Sequence, residues 1–134
     1  MAEDIDWEPL FDAAMGAQRH AHVPYSRFPV GAAVLTEGGE IHAGANVENS
    51  SFGLTVCAER NAIGRAVSEG RRQVRAVAIV ANTEAPCPPC GMCRQVIAEF
   101  AAPETPIRSR TPKGDEARYT LGELLPFAFT KDYL

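Results

Sequence analysis

The 134-residue sequence has no run of about 18 apolar residues, the length needed for a membrane-spanning helix. It also has no excess of basic residues, because 13 Lys and Arg are outnumbered by 17 Asp and Glu, for a formal net charge of -4. Strong non-specific binding to a phosphate backbone needs a basic patch. These shortages indicate a protein that neither crosses a membrane nor takes a nucleic acid as its partner.

Internal repeats and low-complexity tracts are also missing, and the composition is that of an ordinary globular protein, with 46% hydrophobic and 22% charged residues. A chain of this length corresponds to one domain. We therefore expect a single domain over residues 1–134, with a core large enough to be stable without disulfides.

The N-terminal stretch 1–6 is acidic and is not followed by an apolar segment, so it resembles neither a secretory signal nor a transit peptide. On this basis we expect a cytoplasmic protein. The sequence contains four cysteines. In a reducing cytosol, clustered cysteines are more often metal ligands or reactive groups than disulfides.

Hydrophobic periodicity and turn residues predict helices alternating with strands. A Gly38-Gly39 turn joins the first two strands as a hairpin. This order favours an α/β fold with a mixed sheet covered by helices on both faces. Helices are predicted at 7–20, 57–69 and 90–101, strands at 29–35, 41–47, 74–80, 107–110 and 117–120, and a short helix or turn at 121–125.

Three cysteines have the spacing of a metal site. Cys90 and Cys93 lie three residues apart at the start of a predicted helix, and Cys57 begins another. Zinc binds four ligands in a tetrahedron, and thiolates are among those it prefers. The positive end of a helix dipole lowers a thiol pKa and favours the thiolate. The pattern therefore predicts zinc held by Cys57, Cys90 and Cys93, with a fourth position open.

Glu59 gives this pattern a catalytic character. A carboxylate two residues after a ligand reaches the same centre only at a helix start, where side chains project past the helix end. There it suits proton transfer to and from a zinc-bound water. One alternative is a closed structural site in which Cys87, part of a second CxxC with Cys90, supplies a fourth thiolate. Another is that the cysteines bind no metal. A structural site has no need of the carboxylate.

The motifs around these residues resemble the cytidine deaminase family, in its small homotetrameric form. Cys57-Ala58-Glu59-Arg60 and Pro89-Cys90-Gly91-Met92-Cys93-Arg94-Gln95 carry the metal part of the resemblance. The rest lies in Pro24-Tyr25-Ser26-Arg27-Phe28-Pro29-Val30-Gly31-Ala32, Asn46-Val47-Glu48-Asn49 and Glu123-Leu124-Leu125-Pro126. The resemblance runs from about residue 20 to the C-terminus.

This resemblance implies a zinc-dependent hydrolase that deaminates cytidine or 2′-deoxycytidine in pyrimidine salvage, with a five-stranded sheet between helical layers. It implies one zinc per chain and Glu59 as general acid and base. Asn46 and Glu48 would bind ribose hydroxyls, Phe28 would pack on the pyrimidine, and the main chain of Ala58 would hold the base. Phe129 matches an aromatic that enters a neighbouring subunit's active site in a homotetramer.

Arg60 has a further predicted role. Three thiolates and one Zn²⁺ sum to a charge of -1, which weakens the metal's power to acidify water. We hypothesise that Arg60 donates hydrogen bonds to ligand sulfurs and offsets that charge. The alternative to this role is that the Arg60 side chain lies in solvent on the helix surface and contacts no sulfur. Among competing functions are deamination of another amino-pyrimidine such as blasticidin S, editing of nucleic acid, and a zinc module that only joins subunits.

Overall fold

A five-stranded mixed sheet forms the centre of the computed structural model, which describes residues 4–134. Residues 1–3, where the acidic N-terminal stretch begins, lie outside the described part. In chain order the elements are α1 (Trp7–Gln18), β1 (Val30–Thr36), β2 (Ile41–Ala45), α2 (Ala58–Ser68), β3 (Val74–Ala81), α3 (Gly91–Phe100), β4 (Pro106–Arg110), β5 (Glu116–Thr120) and α4 (Leu121–Leu124). Short 3₁₀ turns cover Phe52–Leu54 and Lys131–Tyr133.

The strands are arranged in the order β2-β1-β3-β4-β5. Neighbouring strands are antiparallel except β3 and β4, which are parallel. Helix α1 packs on one face of the sheet, and α2, α3 and α4 pack on the other. The predicted α/β/α architecture with a mixed five-stranded sheet is therefore confirmed. From residue 4 onward, no helix has both the length and the apolar character needed to cross a bilayer.

The central strands β1 and β3 are buried on both faces, which explains their nearly continuous runs of valine and alanine. Predicted and observed bounds of the helices and strands differ by at most two residues at either end, and the difference at β2 bears on the site. This strand ends at Ala45, because Val47 leaves the sheet and forms separate bridges with His22 and Val56. That departure matters for the site, since it directs the segment after β2 towards the start of α2.

Gly44 in β2 allows α2 to pack closely on the sheet. A Cβ atom at this position would lie 2.5 Å from the backbone nitrogen of Ala62. One residue further along, the side-chain amide of Asn61 donates a 2.7 Å hydrogen bond to the carbonyl oxygen of Ala45. These two contacts fix the N-terminal half of α2, and with it the side chains that α2 directs beyond its end.

Candidate active site

Three cysteine side chains meet where α2 and α3 begin. Cys57 is the N-cap of α2, Cys90 is the N-cap of α3, and Cys93 lies in the first turn of α3. The Sγ atoms of Cys57 and Cys90 are 3.7 Å apart, and those of Cys90 and Cys93 are 3.4 Å apart. All three sulfurs lie within 4.8 Å of one another. The structure thus brings together the three cysteines that the spacing selected.

The geometry of this cluster fits a zinc ion. Zinc–thiolate bonds of about 2.3 Å in a tetrahedron place two ligand sulfurs about 3.8 Å apart, close to the separations in the chain. Soft thiolate ligands also suit zinc better than magnesium or calcium. Three protein ligands leave the fourth tetrahedral position to a small molecule, the arrangement that catalytic zinc sites share.

The electrostatics of the cluster favour negative charge on one of its sulfurs, that of Cys57. A hydrogen bond from Cys93 lowers the pKa of the Cys57 thiol to about 5, and Arg60 adds to this effect. The same hydrogen bond, together with burial, raises the pKa of Cys93. Cys57 therefore carries negative charge at neutral pH. Both N-cap cysteines also lie at the positive end of a helix dipole, which favours bound thiolate.

Glu59 lies in the first turn of α2, only 4% exposed. Burial raises the pKa of this carboxyl group to about 7, and the negative charge of Cys57 acts in the same direction. In turn, the charge of Glu59 helps to raise the pKa of Cys93, so the carboxyl group is electrostatically coupled to the sulfurs. A buried carboxyl group with a pKa near neutrality can both accept and donate a proton.

Arg60 directs its guanidinium towards the cluster. Its Nη2 lies 3.6 Å from the Sγ of Cys57 and 3.2 Å from the carbonyl oxygen of Thr55. The contact with Cys57 raises the pKa of Arg60. This guanidinium therefore faces a ligand sulfur rather than lying free on the helix surface.

Cys87 does not join the sulfur cluster. Among residues 4–134, the group of donor atoms that lie within 4.8 Å of one another consists of Cys57, Cys90 and Cys93. The Cys87 thiol instead donates to the carbonyl oxygen of Pro88 at 3.6 Å, and burial raises its pKa. This geometry disfavours the closed site with four thiolates.

Asn46 holds the backbone on both sides of Pro29. Its Nδ2 donates to the carbonyl oxygen of Phe28 at 2.8 Å, and its Oδ1 accepts from the amide of Val30 at 2.9 Å. A side-chain amide has two donor hydrogens and two acceptor lone pairs, so one of each remains for a ligand. The structure thus gives Asn46 a loop-fixing contact that the sequence did not predict, while Phe28 stays 38% exposed.

Glu48 lines an open cavity of about 390 Å³ together with Tyr25, Ser26, Phe52 and Thr55. Its carboxylate accepts hydrogen bonds from the backbone amides of Tyr25 and Ser26 at 3.0 and 3.1 Å, and from the Ser26 hydroxyl. These donors, the hydroxyl foremost, lower the pKa of Glu48. Glu48 is therefore an ionised acceptor at neutral pH.

A short ladder connects Asn46 and Glu48 to the metal ligands. Val47, which lies between them in the sequence, pairs with Val56 through two backbone hydrogen bonds of 2.9 Å each. Val56 directly precedes Cys57, and the Ala58 that follows is fully buried. The residues predicted to contact sugar and those predicted to bind metal are thus fixed to one another through backbone pairing.

Phe129 lies apart from this ladder, on the C-terminal segment. It is 61% exposed and stacks on Tyr133 with ring centroids 5.7 Å apart. Its carbonyl oxygen accepts a 2.8 Å hydrogen bond from Gln95 of α3, a contact that links two residues 34 positions apart. Phe129 does not line the cavity beside Glu48.

Comparison with known proteins agrees with this geometry. Residues 6–108 match the family model described as the cytidine and deoxycytidylate deaminase zinc-binding region. A cytidine deaminase from Halalkalibacterium halodurans is 51% identical over 128 residues, covering 96% of this chain and 97% of the relative. The crystal structure of cytidine deaminase from Burkholderia pseudomallei superposes with a TM-score of 0.89 at 42% identity, covering 93% of this chain and all of that one.

A blasticidin-S deaminase from Bacillus cereus is also similar, at 33% identity over 111 residues, covering 77% of this chain and 78% of the relative. It is a less similar relative than the two cytidine deaminases. The zinc-binding match includes the three clustered cysteines, one ligand set per chain. Together with the shared fold and the identity along nearly the whole sequence, these findings place the chain in the cytidine deaminase family.

Proposed function

We propose that this protein is a zinc-dependent hydrolase that converts cytidine and 2′-deoxycytidine to uridine and 2′-deoxyuridine, releasing ammonia, in pyrimidine salvage. The observation that carries the proposal is the buried carboxyl group of Glu59 beside a three-sulfur cluster. A purely structural zinc site gains nothing from a buried carboxyl group with a pKa near 7. We further propose that residues 1–134 form one catalytic domain, and that it works in the cytoplasm, where thiol ligands stay reduced.

In this proposal Cys57, Cys90 and Cys93 hold the ion. Bound zinc would supply Lewis-acid activation of a water molecule, lowering its pKa towards neutrality. Glu59 accepts a proton from that water and delivers it to the ring nitrogen next to the amino-bearing carbon. The water oxygen bonds to this carbon, Glu59 helps to transfer the remaining proton to the amino group, and ammonia leaves. One carboxyl group thus moves both protons, a role that suits the buried Glu59 in the first turn of the helix that Cys57 caps.

The remaining residues would bind and orient the nucleoside. Phe28 is exposed enough to pack on the pyrimidine, and Asn46 fixes its backbone while keeping one donor and one acceptor for a sugar hydroxyl. Glu48 offers an ionised acceptor for the sugar. The buried main chain of Ala58, between a ligand and Glu59, would hold the base.

Arg60 would act through the metal ligands. Its guanidinium faces the Cys57 sulfur, which supports the hypothesis that it withdraws negative charge from a three-thiolate site. With less charge on the sulfurs, the ion would polarise its water more strongly. Arg60 would therefore tune the reaction without touching the substrate.

We also propose that the chain forms a homotetramer in which Phe129 enters a neighbouring subunit's active site. The C-terminal segment, residues 125–134, supports this proposal because it exposes large apolar side chains. Phe127, Phe129, Tyr133 and Leu134 are all at least 61% exposed. Soluble monomers rarely expose apolar groups in such concentration.

The experiment that tests the proposed reaction is turnover of cytidine and 2′-deoxycytidine by the zinc-loaded protein, followed by absorbance and by ammonia release. We expect uridine and ammonia in equal amounts. Blasticidin S and single-stranded DNA serve as competing substrates. A zinc-loaded protein that deaminates either of these but neither nucleoside would contradict the proposal.

A further inference from the structure

Ser26 connects two of the residues proposed to contact the substrate. Its hydroxyl donates to Oε2 of Glu48 and accepts a 3.0 Å hydrogen bond from the backbone amide of Phe28. One hydroxyl group therefore joins the proposed sugar acceptor to the proposed ring platform. Ser26 lies within the motif Pro24–Ala32, and its residue type and position in the sequence predict no role for it.

The hydrogen bonds that Glu48 accepts leave one of its lone-pair sites free for a ligand. An ionised carboxylate has about four lone-pair sites, two on each oxygen. The backbone amides of Tyr25 and Ser26 occupy both sites on Oε1, and the Ser26 hydroxyl occupies one on Oε2. The remaining site on Oε2 is therefore the one available to a ligand hydroxyl, and the Ser26 hydroxyl fixes the rotation that sets its direction.

The backbone around Ser26 is held in an unfavourable conformation to make this arrangement. Arg27, between Ser26 and Phe28, has φ of 55°, in the left-handed region that residues other than glycine rarely adopt. Its amide donates a 2.9 Å hydrogen bond to the carbonyl oxygen of Val23. Strained backbone of this kind persists where surrounding contacts fix it, and it clusters at functional sites.

We propose that Ser26 is a positioning residue for sugar recognition: its hydroxyl directs the free acceptor site of Glu48 towards a hydroxyl of the nucleoside sugar. The inference rests on the proposed function, since it assigns how the sugar of that substrate is recognised. Ser26 does not touch the reacting atoms, so its effect is expected on affinity for the sugar rather than on the chemical step.

The test compares Ser26→Ala with wild type, using two inhibitors of cytidine turnover. Uridine carries both secondary sugar hydroxyls, and 2′,3′-dideoxyuridine carries neither. We expect Ser26→Ala to weaken uridine inhibition about fivefold, the size of one lost hydrogen bond. The inhibition constant of dideoxyuridine should stay within about twofold, because Glu48 has no partner in that ligand. Zinc content and kcat for cytidine should be unchanged.

Two further variants separate positioning from general loosening of the loop. Ser26→Thr keeps the hydroxyl group and should bind uridine with an affinity close to that of wild type. Ser68→Ala makes the same chemical change on the exposed end of α2 and should leave both constants at wild-type values. The inference is wrong if Ser26→Ala weakens both inhibitors equally or neither of them.

Failure of the proposed function gives a different result. If wild type does not convert cytidine, the proposed reaction is wrong before any variant is compared. If wild type converts cytidine but binds uridine and dideoxyuridine equally, Glu48 does not recognise the sugar hydroxyls. The positioning role proposed for Ser26 is then wrong as well.

Discussion

The metal centre and the C-terminal segment are built in opposite ways. Cys93 is fully buried and Glu59 is 4% exposed, and both are fixed by helices that pack on the central sheet. Phe127 is fully exposed and Phe129 is 61% exposed, on a segment that pairs with no strand among residues 4–134. The three clustered sulfurs and the carboxyl group of Glu59 are thus fixed within one chain, whereas the aromatic side chains of the C-terminal segment lie open to solvent. In the proposed function the metal centre supplies the chemistry and the C-terminal segment helps to enclose the substrate, so variants can test each role separately.

The largest effect is expected from Cys93→Ser. Cys93 has the deepest burial of the three clustered cysteines, and a serine oxygen is a poor replacement for thiolate on zinc. We expect zinc content to fall well below one per chain. Turnover of cytidine should fall at least about a thousandfold, because the water molecule that attacks the substrate in the proposed reaction would lose its activation by zinc. Metal analysis and cytidine turnover on the same sample check this. Full zinc and full activity in Cys93→Ser would exclude Cys93 as a ligand.

Among variants that keep Glu59 and all three clustered cysteines, Arg60→Gln should have the largest effect on the metal centre. The variant removes the guanidinium beside Cys57 but leaves all three sulfurs in place. Partners of metal ligands typically contribute about 10–100-fold to metal affinity or activity, so we expect a loss in that range in kcat or in zinc affinity. Arg65→Gln, at an exposed position of the same helix, is the matched control. Unchanged zinc affinity and turnover in Arg60→Gln would make Arg60 an ordinary surface residue.

Phe129→Ala tests the role of the exposed C-terminal segment. Loss of an aromatic contact to substrate is expected to raise KM for cytidine by up to about tenfold, with a smaller change in kcat. If Phe129 acts in a neighbouring subunit, the Phe129→Ala chain should recover part of its lost affinity for cytidine when it forms hybrid oligomers with the inactive Glu59→Gln chain. The Glu59→Gln chain would then supply the missing Phe129 side chain to the active site of the Phe129→Ala chain. Light scattering gives the oligomer size. A monomer with unchanged KM would contradict both the tetramer and the role of Phe129.

The smallest effect is expected from Cys87→Ser. Since the Cys87 thiol contacts the Pro88 carbonyl oxygen and lies outside the sulfur cluster, the variant should keep one zinc per chain and turnover within about twofold of wild type. Thiol titration of the native holoprotein should find Cys87 free and three cysteines protected. Loss of zinc from Cys87→Ser would instead support the closed site with four thiolates.

The sequence predicted the buried region well because its signals are local. The apolar runs of β1 and β3 reflect burial on both faces, and the N-caps Cys57 and Cys90 lie where helix periodicity begins. Helix ends were displaced by only one or two residues; α1, for example, ends at Gln18 rather than His20.

The sequence could not predict contacts that depend on tertiary placement of loops. The left-handed conformation of Arg27 has no signature in its residue type, and the Ser26 hydroxyl finds Glu48 only after both loops are folded. The same holds for Gln95, whose hydrogen bond to Phe129 spans 34 residues. Spacing selected the three cysteines of the cluster, whereas the residues that orient the surrounding loops become evident only in the folded chain.

The measurement that tests the catalytic proposal most directly is cytidine turnover by Glu59→Gln with zinc quantified in the same sample. We expect one zinc per chain, a wild-type circular dichroism spectrum and turnover reduced by about 10²–10⁴-fold or more, because glutamine cannot accept or deliver the protons. Zinc-loaded Glu59→Gln with wild-type kcat would contradict the assignment of Glu59 as the group that moves protons.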